Sequence, residues 1–461
     1  MRRIVRSSLF LVLLAGCASS VKYERPPVEL PAAWKAAGPR FAEDGRWWRI
    51  YEDAQLDALV AQALRDNADL LVAAARVDEA RALVGEAESF LFPRLDAQGS
   101  ASRQRISTRT AVAPPGIPRE YSSYRATLNL SYELDLFGRL RSGAEAARAE
   151  LAASEASRDA VRLALAAQLA KSYFGLRSLD EQVLLTKQSL ALREDLLALQ
   201  RKRHRAGVIG DFELYQLEAE AAAARAQLPA LEEARGREEA ALAVLLGRTP
   251  REVFESGIEV KRQYEETLQA PALPAGMPSE LLLRRPDLVE AERRLAAANA
   301  RVAVARSEMF PSIALTAVLG SESAALSNLF SGPAGLWTVA AAVSQPIFSG
   351  GRTEARTAAA EARERAVLAQ YQQAVRVAFS EVRTALAAQS RARERFDAES
   401  ARAEALRQTL RLARLRHENG IASQIEVIDA ERGLLAARIA RVDALRAHRA
   451  AVADLFRALG G

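Results

Sequence analysis

Tyr124-Arg125-Ala126-Thr127-Leu128-Asn129-Leu130-Ser131-Tyr132-Glu133-Leu134-Asp135-Leu136 alternates without a break. Every even position is apolar or aromatic and every odd one is polar, the two-residue period of a strand with one oily and one wet face. A weaker alternation begins at Pro93, where Leu95, Ala97 and Ala101 oppose Arg94, Asp96, Gln98, Ser100 and Ser102. Further on, Ile313, Leu315, Ala317 and Leu319 share one face of a strand, and Trp337, Val339, Ala341 and Val343 share one face of another. The sequence therefore predicts two hairpins, turning at Ala113-Pro114-Pro115-Gly116 and at Ser331-Gly332-Pro333.

The hairpins belong to a duplication. Asn67-Ala68-Asp69-Leu70 falls on Arg285-Pro286-Asp287-Leu288 at an offset of 218, which also superposes Arg76 on Arg294 and Phe92-Pro93 on Phe310-Pro311. Asp135-Leu136-Phe137 and Arg141 match Pro346-Ile347-Phe348 and Arg352 at 211, an expectation of seven extra residues in the first copy. Arg203-His204, Gly207 and Phe212-Glu213 match Arg416-His417, Gly420 and Ile425-Glu426 at 213. Around the hairpins the pattern is helical. No proline interrupts Gly138 to Gly207 or Gly350 to Gly420, so each stretch of about 68 residues can form a rod of roughly 100 Å. A second helix then runs back in each copy, the first to Gly247 with a kink expected at Pro229, the second to the C-terminus.

Strands of about 10 to 13 residues are long enough to cross a bilayer, which takes about 9–11 in a tilted strand. Four strands cannot close, and an open sheet in lipid leaves backbone groups unpaired. Insertion then requires several chains to share one barrel; three would supply twelve strands, with oily faces toward lipid and polar faces toward a wet lumen.

Of 461 residues, 49% are hydrophobic and 26% charged, which allows a large core and argues against an inner-membrane protein of many spans. The net charge of +6 includes Arg2, Arg3 and Arg6, and elsewhere acids and bases alternate as on solvated helix faces, so the chain does not read as a nucleic-acid binder. One Cys and three His offer no disulfide or cysteine-rich metal framework. No Gly-rich phosphate loop or nucleophile elbow points to an enzyme, and His204, His417 and His448 read as isolated tip or surface residues. Neither catalytic residues nor a metal or cofactor is expected, apart from covalent lipid.

That lipid is expected on Cys17. Arg2, Arg3 and Arg6 precede the apolar run Leu9 to Leu14 and then Ala15-Gly16-Cys17, an export signal ending in the pattern of a bacterial lipobox. Acylation at more than one position would give stable anchoring. Ala18-Ser19, with no Asp after the Cys, favours the outer membrane by resemblance to lipoprotein sorting.

Taken in order, these motifs resemble the TolC-like outer membrane factors, of the lipid-anchored NodT/OprM efflux type. The resemblance rests on the lipobox, Trp47-Trp48, the pairs Phe92-Pro93 and Phe310-Pro311, Gln345-Pro346-Ile347-Phe348-Ser349-Gly350-Gly351-Arg352, and Gly420 followed by Val427-Ile428-Asp429-Ala430. It covers nearly all of the chain after Cys17. It implies an α+β membrane protein of the Gram-negative outer membrane: a homotrimer with a 12-stranded transmembrane β-barrel, four strands per chain, continued by a 12-helix periplasmic α-barrel. It also implies a passive duct in a tripartite export system, docked to a periplasmic adaptor (membrane fusion) protein and an inner-membrane resistance-nodulation-division or ABC-type pump. The expected segments are a signal peptide 1–16, an anchored extended segment 17–50, a helix 51–92, a hairpin 93–137, long helices 138–247, a linker 248–278, a helix 279–310, a hairpin 311–348 and long helices 349–461.

By the same resemblance, Gly207, Val208, Gly420 and Ile421 form tips that meet the adaptor. Glu426 and Asp429 share a helix face with Arg432 one turn on, and in a trimer each becomes a ring of three. Paired with Arg432 or Arg416, such rings could lock the lumen by salt bridges that weaken with ionic strength. Asp429 and Arg432 match the family's aperture acid and base, whereas Ala422 and His417 depart from its pattern. The competing readings are a lipid-anchored enzyme, a lipid-anchored periplasmic adaptor and a coiled-coil structural lipoprotein; the adaptor would carry one helical hairpin between β-rich halves. The cargo is not legible, although few Met and His disfavour a dedicated copper or silver duct.

Overall fold

The structure, a computed structural model, describes residues 23–27, 45–107, 119–255, 257–258 and 284–461. The expected signal peptide, Cys17, the turn 113–116 and most of the linker 248–278 lie outside these residues. The elements are α1 (Ala54–Asp66), α2 (Ala68–Ser89), β1 (Arg94–Arg105), β2 (Glu120–Leu134), α3 (Arg139–Arg205), α4 (Asp211–Leu245), α5 (Pro250–Glu255), α6 (Pro286–Ser307), β3 (Ser312–Ser323), β4 (Gly335–Ser344), α7 (Arg352–Glu418) and α8 (Gln424–Leu459).

The duplication is visible in the element bounds. Helices α2 and α6 both span 22 residues and strands β1 and β3 both span 12, each pair 218 apart. Helices α3 and α7 both span 67 residues, and they start 213 apart, at Arg139 and Arg352. The expected offset of 211 is therefore corrected to 213. From strand start to helix start the first copy takes 45 residues and the second 40, an excess of five and not seven. At this offset Gly138 falls on Gly351, both at positive φ.

By Cα proximity the chain divides into two units, one of residues 1–27, 76–155 and 290–372, the other of residues 28–75, 156–289 and 373–461. The first unit holds a single antiparallel sheet in the order β1-β2-β3-β4. Its register gathers most of the large apolar side chains on one face. Leu95 lies opposite Leu130, Leu128 opposite Leu319, Tyr132 opposite Leu315, Leu319 opposite Trp337 and Ile313 opposite Val343, all on one face. Asp96–Asn129, Gln98–Thr127 and Asn129–Val318 pair on the other. Among the described residues nothing covers the apolar face, for Leu95, Leu319, Trp337, Val339 and Val343 are all exposed.

Two boundaries differ from expectation. Strand β2 starts at Glu120 and stops at Leu134, because Asp135 leaves the alternation to cap α3, accepting hydrogen bonds from the Leu140 and Arg141 amides at 3.1 and 2.9 Å. The expected helix 51–92 is broken. A 3-10 turn at Trp47–Tyr51 precedes α1, and Asn67, in extended backbone, ends α1 and caps α2 through bonds from the Asp69 and Leu70 amides. Helix α4 continues through Pro229.

The second unit holds the main core. Trp47 stacks on Phe456 at 5.2 Å and meets Tyr51 edge-on, and these rings pack among Leu56, Leu169, Phe174 and Leu242. Burying each such side chain contributes about 1.5–3 kcal/mol. Asp53 joins cap to core: Oδ1 accepts from the Gln55 and Leu56 amides, and Oδ2 accepts from the Tyr173 hydroxyl at 2.8 Å and from Arg177 at 2.9 Å. Burial, the larger effect, raises the hydroxyl pKa values of Tyr51 and Tyr173, keeping both neutral. His448 is buried too, not on the surface as its position on a long helix suggests; burial, with Arg393 and Arg449 nearby, lowers its pKa.

The returning helices end on the same lock in both copies. Asn67 Nδ2 donates to the Leu245 carbonyl at 3.0 Å and Arg285 Nη1 donates to the Ala458 carbonyl at 2.8 Å, the two acceptors again 213 apart. Beside them, Gly247 and Gly460 take positive φ.

Of the glycines in the strands, Gly320 has the least room. A Cβ there would lie 2.7 Å from the Thr127 Cα, in the β2–β3 pairing that joins the two hairpins. Gly320→Val is expected to separate the hairpins and reduce folded protein in the outer-membrane fraction at least fivefold. Gly332→Ala, where a Cβ meets open space, is expected to leave it unchanged.

Candidate functional site at the helix turns

Each long helix pair reverses through the same hydrogen-bonded turn. Gly207 (φ 69°) donates its amide to the His204 carbonyl at 2.8 Å while the Val208 amide reaches Arg203 at 2.9 Å. Gly420 (φ 72°) does the same with His417, and Ile421 with Arg416, both at 2.9 Å. A side chain at either glycine would force an L-residue into the left-handed region, so the sequence has little choice there.

Just past each glycine the surface is apolar. Val208 is 60% exposed and Ile421 69%. Phe212 and Tyr215, 70% and 65% exposed, extend the patch on α4. Phe212 enters the sequence pattern only as a repeat marker and Tyr215 not at all, although aromatic residues in the first turn or so of the helix that follows a tip glycine are the available signal.

The histidines bind locally and differ between the copies. His204 Nε2 is 2.7 Å from Asp211 Oδ1, whereas His417 Nδ1 is 3.0 Å from the Ala422 carbonyl. Each imidazole thus bridges its own turn.

The expected charges are together. Arg432 Nη2 donates to Asp429 Oδ1 at 2.8 Å, and Arg416 lies 3.6 Å from Glu426. The sequence reading missed Glu220. This α4 carboxylate accepts from Arg193 at 2.9 Å and stands 3.4 Å from Arg432, linking the first copy to the second. Side chains of Arg193 and Glu220 are 11% and 19% exposed, so this pair is better shielded than Arg432–Asp429, which is more than half exposed and worth at most a few tenths of a kcal/mol. Under these charges, Leu197, Leu217, Ala221 and Ile428 form an apolar contact, also between the copies.

The duplication distinguishes scaffold from specialised charge. Arg201–Glu218 and Arg414–Glu431 occupy equivalent positions and both close to 2.7 Å, so each belongs to the packing of its own helix pair. Asp429 and Arg432 have no charged equivalents, for Gln216 and Ala219 stand 213 residues earlier. Arg193 and Glu220 correspond to Leu406 and Gly433, where a Cβ on the glycine would touch the leucine at 3.5 Å. The Arg193–Glu220–Arg432–Asp429 chain is therefore built from positions at which the copies diverge.

A family model described as outer membrane efflux protein matches residues 59–248 and 277–461. The cation efflux system protein CusC of Escherichia coli O6:H1 is 32% identical over 455 residues, covering 97% of this chain and 96% of its own. The toluene efflux pump outer membrane protein TtgC of Pseudomonas putida is 33% identical over 464 residues, covering 97% and 93%. The crystal structure of the Campylobacter jejuni CmeC outer membrane channel superposes with a TM-score of 0.88 at 24% identity, covering 96% of this chain and 94% of that one.

Asp429→Ala and Glu220→Gln are each expected to raise single-channel conductance in planar bilayers about twofold or more, and the double variant to add little beyond either. Glu218→Gln, which breaks only a scaffold pair, is expected to leave conductance unchanged. Conductance equal to that of the unaltered protein in both single variants and in the double would show that Glu220 and Asp429 do not restrict the channel.

Proposed function

The chain belongs to the outer membrane efflux protein family, and on that premise we propose that three copies assemble into one passive conduit of a tripartite export system. The observation that carries this is the sheet: among the described residues it has four strands, an apolar face without cover, and pairing on one side only for β1 and β4. In lipid, the free N–H and C=O groups of both edges must find partners, since each unsatisfied group costs several kcal/mol. Edge β1 of one copy against β4 of the next satisfies them, and three such joints close a barrel of twelve strands.

The long helices then provide four helical spans per copy for a periplasmic α-barrel. The turn patches around Val208 and Ile421 meet the helical hairpins of a periplasmic adaptor, which connects the conduit to an inner-membrane pump. Acylation of Cys17 anchors the N-terminal segment in the outer membrane. Two relatives named for unlike cargoes, cations and toluene, match the chain about equally well, in keeping with a conduit whose selectivity is set by pump and adaptor.

Outer-membrane fractions are expected to hold a trimer that resists SDS and dissociates on heating. A soluble periplasmic monomer would end the proposal. Val208→Asp combined with Ile421→Asp is expected to lower crosslinking to the adaptor at least tenfold while the trimer persists.

A further inference from the structure

The duplication specifies a strand pairing that one chain cannot make by itself. Strand β3 repeats β1 at an offset of 218, since Ser312 stands where Arg94 does at the start of its strand. Arg94 lies opposite Ser131 and Ser312 opposite Ser344, so β4 repeats β2 at an offset of 213. The joint between β2 and β3 therefore has a counterpart, β4 of one copy against β1 of the next. Both of these strands are edges of the sheet.

The register of the counterpart follows from the observed joint. Leu128 lies opposite Leu319 and Asn129 opposite Val318. Moved by the two offsets, these pairs become Ala341 opposite Ala101 and Ala342 opposite Ser100. We propose that β4 of one copy pairs antiparallel with β1 of the next in this register, from Trp337 opposite Arg105 to Ser344 opposite Gln98. The partner of each edge is a second copy of this chain, and the inference rests on the assembly reading above.

The residues at the two edges fit this register along its length. At one end of the internal joint Tyr124 meets Ser323, the last residue of β3; in the counterpart Trp337 meets Arg105, the last residue of β1. At the other end Leu134 meets Ile313, and the counterpart sets Ile347, 96% exposed, opposite Leu95, 64% exposed. Pro346 donates no ladder bond, so this last contact is made by side chains. Where the internal joint sets Thr127 against Gly320, the counterpart sets Ala340 against Ser102, two small side chains. On the polar face Gln98 and Gln104 meet Ser344 and Thr338.

Barrel closure adds an independent constraint, because the stagger of the strands must sum to a fixed value around the ring. Leu95 lies opposite Leu130, which lies opposite Ala317, the counterpart of Gly99. Crossing two strands thus moves the pairing by four residues. Through the new joint, Ile313, the counterpart of Leu95, lies opposite Val343, which meets Gly99 of the next copy. The step is again four. Every hairpin then carries the same share of the tilt, and six hairpins give a stagger of 24 residues. A slip of one residue would turn the apolar residues of one strand to the polar face. A slip of two keeps the faces but concentrates a change of tilt at the joint.

Cysteine pairs in the full-length chain separate these registers. Ala101→Cys is combined in turn with Val339→Cys, Ala341→Cys and Val343→Cys, and Ser100→Cys with Ala340→Cys, Ala342→Cys and Ser344→Cys. Neighbouring pairs of a ladder alternate between wide and narrow Cα separations, so one of the two rows holds a narrow pair. Diagonal neighbours, about 7–8 Å apart, are too far for a disulfide. After mild oxidation of outer-membrane fractions, non-reducing gels are expected to show covalent trimer from 101–341 or 100–342 at least fivefold above the other pairs of its row. Each single variant controls for pairing with Cys17, the one native cysteine. A heat-dissociable trimer in which a pair displaced by two residues leads, or in which neither matched pair leads, overturns the register. Absence of trimer in the unaltered chain overturns the assembly reading instead.

Discussion

A backbone amide in hydrocarbon must be hydrogen-bonded, and the rest of this protein is arranged around that requirement. The sheet of the first unit meets it internally at three joints and leaves two edges open. Its alternation turns one face toward an apolar medium, with no cover from the described residues. A soluble sandwich would bury that face against a second layer. Here Trp337, Val339 and Val343 on an edge strand stay exposed, which in water would be an aggregation hazard. Oligomeric closure turns the hazard into the joint.

Duplication solves a second problem, that of holding very long helices in register. Ala-rich helices offer few large side chains to fix their longitudinal positions, and small residues slide more readily than interlocked large ones. Both copies answer with an end lock: a side chain just before α2 or α6 donates to a carbonyl near the end of the returning helix, beside a positive-φ glycine. The two locks use different chemistry. Asn67 serves in the first copy and Arg285, also held by Asp287 and Glu381, in the second. Because the acceptor carbonyls keep the same spacing, the geometry rather than the residue type is the common requirement.

The features legible in the sequence were those written in local period or local stereochemistry. Hairpins follow from alternation, and Gly207, Gly247 and Gly420 follow from the positive φ that ends a helix. What was not legible depends on which face of a helix turns inward. In stretches dominated by Ala, Arg and Glu the apolar contrast around the helix is slight, so the burial of His448 and the approach of Glu220 to Arg432 leave almost no mark in the sequence. Similarly, Asp135 continues the alternation perfectly, yet helix capping takes it out of the strand. The misjudged offset of 211 came from the same place, because the chain there changes period and five residues separate the two copies.

The charges near the turns acquire meaning through comparison of one copy with the other. A scaffold interaction should recur wherever the same helix pair recurs, and Arg201–Glu218 with Arg414–Glu431 does. An interaction present once must answer to something the copies do not share. Arg193–Glu220–Arg432–Asp429 is such a case, and it runs between the copies rather than within one. Each exposed link is weak, so a closed arrangement held by these links in every copy would be separated from an open one by only a few kcal/mol. That is the range in which docking of another protein can tip an equilibrium, since a differential affinity of that size suffices. Of the three links only Arg193–Glu220 is shielded, so the part of the chain that involves Arg432 and Asp429 is the part that yields most easily.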